Sequence, residues 1–158
     1  MSETLPMHLS KQNILDMPGL MKTHFLNGNA VRLNKSLGDA VGLKNIGVHM
    51  VVIQPGFDST EFHSHQFEEE CIYVISGNAI ATLGEETREI GSGHFIGYPT
   101  NGVAHSLRAI GPDPLVFLMM GQRLAQDVAD YQNLKKRLYR NNGEWNLVDH
   151  DAIQRIKR

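Results

Sequence analysis

From Asn45 onward the chain settles into short apolar runs. Ile46, Val48, Met50 and Val52 alternate with Gly47, His49, Val51 and Ile53 until Pro55-Gly56 stops the run, which predicts a strand apolar on most of both faces. Shorter runs follow at 71–76, 79–83, 87–90, 94–98, 103–110 and 115–120. Turn residues separate them: Gly77-Asn78, Gly84-Glu85-Glu86, Gly91, Gly93, Pro99, Gly102, Gly111, Pro112 and Pro114. Strands recurring about every ten residues predict an all-β, antiparallel sandwich or barrel over 41–121.

The flanks read differently. Residues 1–40 mix Met, Leu, Pro6, Pro18, Gly19 and Gly28 with no sustained period. They are expected to form an N-terminal arm lying on the body, or one partly exchanged with a second copy. In the C-terminal tail, 122–158, Val128, Tyr131, Leu134 and Leu138 recur every three or four residues. That spacing predicts a short helix at about 126–140, weakly capped. Trp145 is expected to anchor this tail to the body, with lining of the site mouth as the alternative. The cluster Lys135, Lys136, Arg137 and Arg140 reads as a solvated face, with anion or partner binding as the alternative.

The chain's 158 residues make about one domain. A formal net charge of −2, with charged residues at 20%, supplies no basic field for nucleic acid or an anionic membrane. No apolar run is long enough to cross a bilayer as a helix. Cys71 is the single cysteine, so no internal disulfide can form. A soluble, cytoplasmic protein is expected.

The chemistry concentrates at 56–77. His63 and His65 are one residue apart, and in a strand such residues share a face at a separation of roughly 7 Å. Glu70 has the wrong parity for one continuous strand. The segment 66–69 is therefore expected to turn the chain and bring Glu70 back on a second strand. Two imidazoles and a carboxylate suit iron, manganese, zinc or nickel rather than magnesium or calcium.

These residues resemble a known motif pair. Gly56, His63, His65, Glu70 and Gly77 fill the places of the first cupin motif, and Gly93, Pro99, Gly102 and His105 fill those of the second. Fifteen residues separate Gly77 from Gly93, similar to the gap of compact single-domain cupins. The likeness covers about 45–120. It implies a double-stranded β-helix, the jelly-roll barrel, and adds His105 to His63, His65 and Glu70 as a fourth metal ligand. The flanking Gly38-Asp39-Ala40-Val41-Gly42-Leu43, and Gly121-Gln122-Arg123 followed by Asp127-Val128-Ala129-Asp130-Tyr131, look like a cupin group some of whose members are labelled sugar-phosphate isomerase-like. Three departures stand out: one extra residue in Pro99-Thr-Asn-Gly102, Ala109 where an asparagine is frequent, and His94 where an aspartate is common. None removes a ligand.

Four protein ligands on a six-coordinate metal leave two adjacent positions for water or a chelating α-hydroxy-carbonyl, enediol or carboxylate. Glu70 is either a fixed ligand or a base that loosens, and Glu69 is a fallback ligand. Glu68 is expected to be solvated or to support a ligand. His49 reads as a satisfied core histidine; Tyr73, Tyr98, Met50 and Met119 read as core that could line a pocket. Cys71 should point away from the metal. Arg32, Arg108 and Arg123 are candidates for holding a phosphate or carboxylate. The expected activity is metal-dependent isomerase or lyase chemistry on a small polar molecule, with iron-dependent dioxygenation or non-catalytic ligand sensing as alternatives. If Ile72 and Val74 face inward, Cys71, Tyr73 and Ile75 form an apolar outer face, for which a homodimer is expected.

Overall fold

Thirteen strands, two short α-helices and two 3-10 turns account for the computed structural model, which describes residues 5–158. Helix α1 is Lys11–Asp16; Ser10 caps it through its hydroxyl and Asn13 answers reciprocally. Strands β1 (Leu20–His24) and β2 (Asn27–Ser36) form a hairpin, and α2 (Leu37–Ala40) leads to β3 (Ile46–Ile53). Next come β4 (Ser64–His65), β5 (Glu70–Ser76), β6 (Asn78–Leu83), β7 (Glu86–Gly91) and β8 (Phe95–Tyr98). The rest are β9 (His105–Ile110), β10 (Leu115–Gln122), β11 (Gln126–Tyr131), β12 (Lys136–Asn141) and β13 (Glu144–Asp149).

All pairings are antiparallel. One sheet runs β1-β2-β3-β10-β5-β8, a second β7-β6-β9, and a third β13-β12-β11-β4. Between the first two lies the main core. Val51, Ile53, Ile72, Val74, Leu115 and Phe117 enter it from the large sheet, and Ala79, Ala81, Ile90, Leu107 and Ala109 from the small one. The period-2 alternation of these strands sends every second side chain inward. The third sheet packs a smaller cluster of Ala129, Tyr131 and Leu138.

Both flanks are more ordered than their sequences suggest. The arm is no loose segment: β2 pairs with β3 from Leu33↔Val52 to Ser36↔His49, extending the large sheet. Its inward positions include Arg32 and Asn34, polar residues that hide the alternation. The helix expected at 126–140 does not form. That stretch is β11, a 3-10 turn at Gln132–Leu134, and β12. Its buried positions are Asp127, Ala129, Tyr131 and Leu138. Because Asp127 is a buried acid and Ala129 is small, the strand alternation was masked, and the helical spacing of Val128, Tyr131, Leu134 and Leu138 is coincidental.

Gly77 shows why a glycine closes the first motif. Its φ is +77°, and a Cβ there would lie 2.3 Å from the Pro114 carbonyl oxygen. Gly56 also has positive φ, +88°, but nothing within 4 Å of a Cβ. Gly56→Ala should therefore cost only the left-handed backbone, about 1–2 kcal/mol. Gly77→Ala should lower the unfolding free energy by clearly more than about 2 kcal/mol, because a backbone atom must also move. Equal losses in urea denaturation would show that the Pro114 contact is not what requires glycine.

Candidate metal centre

The chain turns at 66–69 as its sequence requires, and four side chains converge. His63 and His65 approach through their Nε2 atoms at 2.9 Å. Glu70 Oε2 lies 3.7 Å from His65 Nε2 and 3.9 Å from His105 Nε2. His105 opens β9 and bridges back to His63, their main chains exchanging N–H···O bonds of 3.3 and 2.8 Å. Gly121 stands directly opposite Glu70 in the β5–β10 ladder. A Cβ there would sit 3.1 Å from Glu70 Cγ, so the absent side chain leaves the carboxylate its room.

Hydrogen bonds fix which nitrogen His63 and His65 present. His63 Nδ1 lies 2.8 Å from the Glu61 carbonyl, which can only accept, so Nδ1 carries the hydrogen. His65 Nδ1 lies 2.5 Å from Asp127 Oδ2, which places a hydrogen between them. Both Nε2 lone pairs then face each other, an arrangement that calls for a cation, either a proton on one ring or a metal ion between both. Three imidazoles and a carboxylate fit a divalent transition metal. Among the described residues, His63, Glu70 and His105 could hold an ion together, as could His65, Glu68 and Asp127 alongside.

The electrostatics agree. Burial first, then the like charges of His65 and His105, hold His63 down at about 3, a neutral ligand-ready ring. Burial would raise Glu70, but His105, His65 and His63 outweigh it and bring it to about 2. For His65, burial is outweighed by the Asp127 carboxylate and its affinity for a proton rises. Asp127 is brought to about 2: burial opposes the shift, while His65 and the amides of Glu68 and Phe67 drive it.

Asp127 is the residue whose role the sequence concealed. It is 1% exposed and accepts from the backbone N–H groups of Phe67 and Glu68 at 3.1 and 3.2 Å, clamping the turn between His65 and Glu70. Glu68, 3% exposed, is not solvated: it accepts from the Leu124 N–H at 2.9 Å, pairs with Arg140, and its charge adds to the hold on a His65 proton. Glu69 is exposed and turned away, its amide donating to Gln122 Oε1. His49 Nδ1 accepts from Asn34 at 3.0 Å, a satisfied inner-face histidine. Cys71 lies on the outer face, where burial pushes its thiol up.

The four groups open into a cavity of about 370 Å³. Tyr98 stacks on His105, ring centroids 3.7 Å apart, and Met119 joins it on the wall; Tyr73 instead lies outside, 45% exposed. Much of the wall comes from the two flanks. Lys22, His24, Phe25 and Arg32 belong to the arm, and Tyr131, Arg140 and Trp145 to the tail. Trp145 therefore takes the alternative role, a mouth residue 59% exposed, with the Arg140 guanidinium 5.6 Å over its ring. The basic cluster is likewise less solvated than expected, since Lys136 pairs with Asp149 and Arg137 with Asp130.

A β-sandwich built on these two motifs, with imidazoles and an acid at its mouth, defines the cupins. The cupin domain profile matches residues 49–121, and the chain belongs to the cupin superfamily. It is similar to a crystal structure from Acidithiobacillus ferrooxidans described as a candidate sugar phosphate isomerase. That protein is 51% identical with a TM-score of 0.94, over 96% of this chain and 97% of the other. A sugar phosphate isomerase of the cupin superfamily from Silicibacter pomeroyi shares the fold at 22% identity, with a TM-score of 0.78 over 85% and 88% of the two chains. No curated protein sequence matches the chain. Among the described residues, no helix is long and apolar enough to cross a membrane.

Arg140→Met should leave the Glu68 carboxylate buried without its cation, costing about 2 kcal/mol or more. Adding Glu68→Gln should recover most of that loss. A double variant no more stable than Arg140→Met in thermal denaturation would show that the ion pair is not what holds β12 to the turn.

Proposed function

We propose that the protein is a metal-dependent enzyme acting on a small polar molecule by isomerase or lyase chemistry, with a sugar or sugar phosphate as substrate. His63, His65, Glu70 and His105 are its metal ligands, and the metal is iron, manganese, zinc or nickel. The observation that carries the reading is the pair of Nε2 lone pairs facing each other across 2.9 Å, each ring held by its own Nδ1 partner. The likeness to two proteins described in terms of sugar phosphate isomerisation supports the substrate class.

A bound divalent cation would polarise a hydroxy-carbonyl group and acidify its neighbouring C–H or O–H. The chain's own groups do the rest. Glu70, low in pKa, accepts a proton only if it loosens from the cluster. Tyr98 and Tyr131, both pushed up by burial, stay protonated and can donate to a substrate oxygen. Tyr131 is the better placed donor. His24 Nδ1 accepts from the Leu26 N–H at 3.1 Å, so its Nε2–H faces the Tyr131 oxygen at 3.4 Å and leaves the phenol hydrogen free.

Metal analysis of protein purified without a chelating tag should find a stoichiometric transition metal, lost together with turnover in His63→Ala and Glu70→Ala. Asp127→Asn is the sharper variant. Its oxygen still serves the two backbone amides, but its NH2 donates to His65 Nδ1 and moves the ring hydrogen to Nε2. Metal affinity should fall by about 10- to 100-fold with the fold retained. Turnover surviving complete metal removal would refute the reading, whereas oxygen consumption with a catechol or diketone by the iron form would favour dioxygenation.

The protein is also proposed to be a cytoplasmic homodimer. Phe95, Tyr73, Leu118 and Met50 are register neighbours across β8, β5, β10 and β3, forming an apolar row on the outer face. Phe95 and Tyr73 are 63% and 45% exposed, and a second copy would cover them. Light scattering at micromolar concentration should give twice the 17.7 kDa chain mass, and Phe95→Glu with Tyr73→Lys should shift it to monomer. A folded wild-type monomer at that concentration would contradict the dimer.

A further inference from the structure

Two cations stand side by side on the cavity wall, and among the described residues neither has an ion-pair partner. Lys22 of β1 and Arg32 of β2 are direct cross-strand partners, and both line the cavity. Like charges placed opposite one another in an antiparallel ladder repel, so the pairing costs the hairpin stability. The neighbouring cations are matched. Arg140 has Glu68 and Asp127, Arg108 has Asp58 at 2.7 Å, and Arg123 has Asp39 at 2.5 Å. Among the described residues, no carboxylate forms an ion pair with Lys22 or Arg32. Of the Arg32 guanidinium, Nη1 donates to the Ser59 carbonyl at 3.1 Å, which leaves the remaining N–H groups available to a ligand. Burial opposes its charge, and Glu70, already committed to the imidazoles, compensates only in part.

His24 completes the patch. It lies two residues beyond Lys22 on the same wall, and burial followed by the Arg32 charge bring it to about 4. At neutral pH it therefore adds no third charge, and its one N–H faces Tyr131. A guanidinium fork and an ammonium suit a group with several acceptor oxygens and about two negative charges. A cavity of about 370 Å³ has room for a small phosphorylated molecule.

We propose that Lys22 and Arg32 form an anion subsite that holds the phosphoryl group of the substrate, leaving the hydroxy-carbonyl end to the imidazole cluster. The proposal rests on the reading of the cavity as a small-molecule site and adds the group that fixes the substrate's orientation. It also separates Arg32 from Arg108 and Arg123, whose side chains are spent on carboxylates away from the cavity.

The test uses inorganic phosphate and full-length, chelator-stripped protein, so failure of the metal assignment does not touch it. Phosphate should raise the melting temperature above a sodium chloride control of equal ionic strength and broaden its own phosphorus NMR line. Arg32→Gln should weaken phosphate binding by about 10-fold or more, and Lys22→Gln by several-fold. Circular dichroism verifies the folding of each variant; should Arg32→Gln not fold, Lys22→Gln decides, because Lys22 is exposed on an edge strand. Unchanged phosphate affinity in the folded variants, or no effect of phosphate beyond that of salt, overturns the subsite. Acetate binding as tightly as phosphate through the same residues overturns the phosphoryl assignment.

Discussion

Two imidazoles aimed at each other set the terms for the rest of this molecule. Nε2 atoms 2.9 Å apart repel unless a cation lies between them, and neither ring can turn away. The Glu61 carbonyl holds one and the Asp127 carboxylate holds the other. The turn at 66–69 is clamped by the same aspartate, and Glu68 ties it to β12. Much of the architecture around the cavity can be traced to the need to keep these polar groups oriented while burying them.

The sandwich serves that need through its register. His63 and His105 face across a bridge between two chain segments, and Gly121 leaves a gap in β10 where Glu70 projects. The extra residue in the Pro99 to Gly102 loop has a use too: the Asn101 amide donates to the His65 carbonyl at 2.9 Å, with Asn101 itself at a φ of +53°.

The strands from β3 to β10 were legible because their alternation is apolar inside, as with Val51 and Ile53 or Leu115 and Phe117. His63, His65 and Glu70 were legible from spacing and parity, and His105 from the motif pair. The flanks were not, for one reason at both ends: their inward positions are polar. Arg32 and Asn34 in β2, and Asp127 in β11, occupy places where a strand pattern predicts an aliphatic residue. Arg32 and Asp127 serve the cavity and Asn34 serves His49, and an alternation of hydrophobicity cannot register them. Arg140 was hidden because it reads as surface, whereas Trp145 carried the mouth as its alternative reading.

The partner that orients His65 comes 62 residues later in the chain. A nascent chain that has made both motifs of the sandwich still lacks the group that decides which nitrogen of His65 faces His63. Loop closure over that span is slow compared with local hairpins, so the centre matures only when β11 docks. Possession of an ordered centre is thus a record that translation and folding have both passed the two motifs and reached β11.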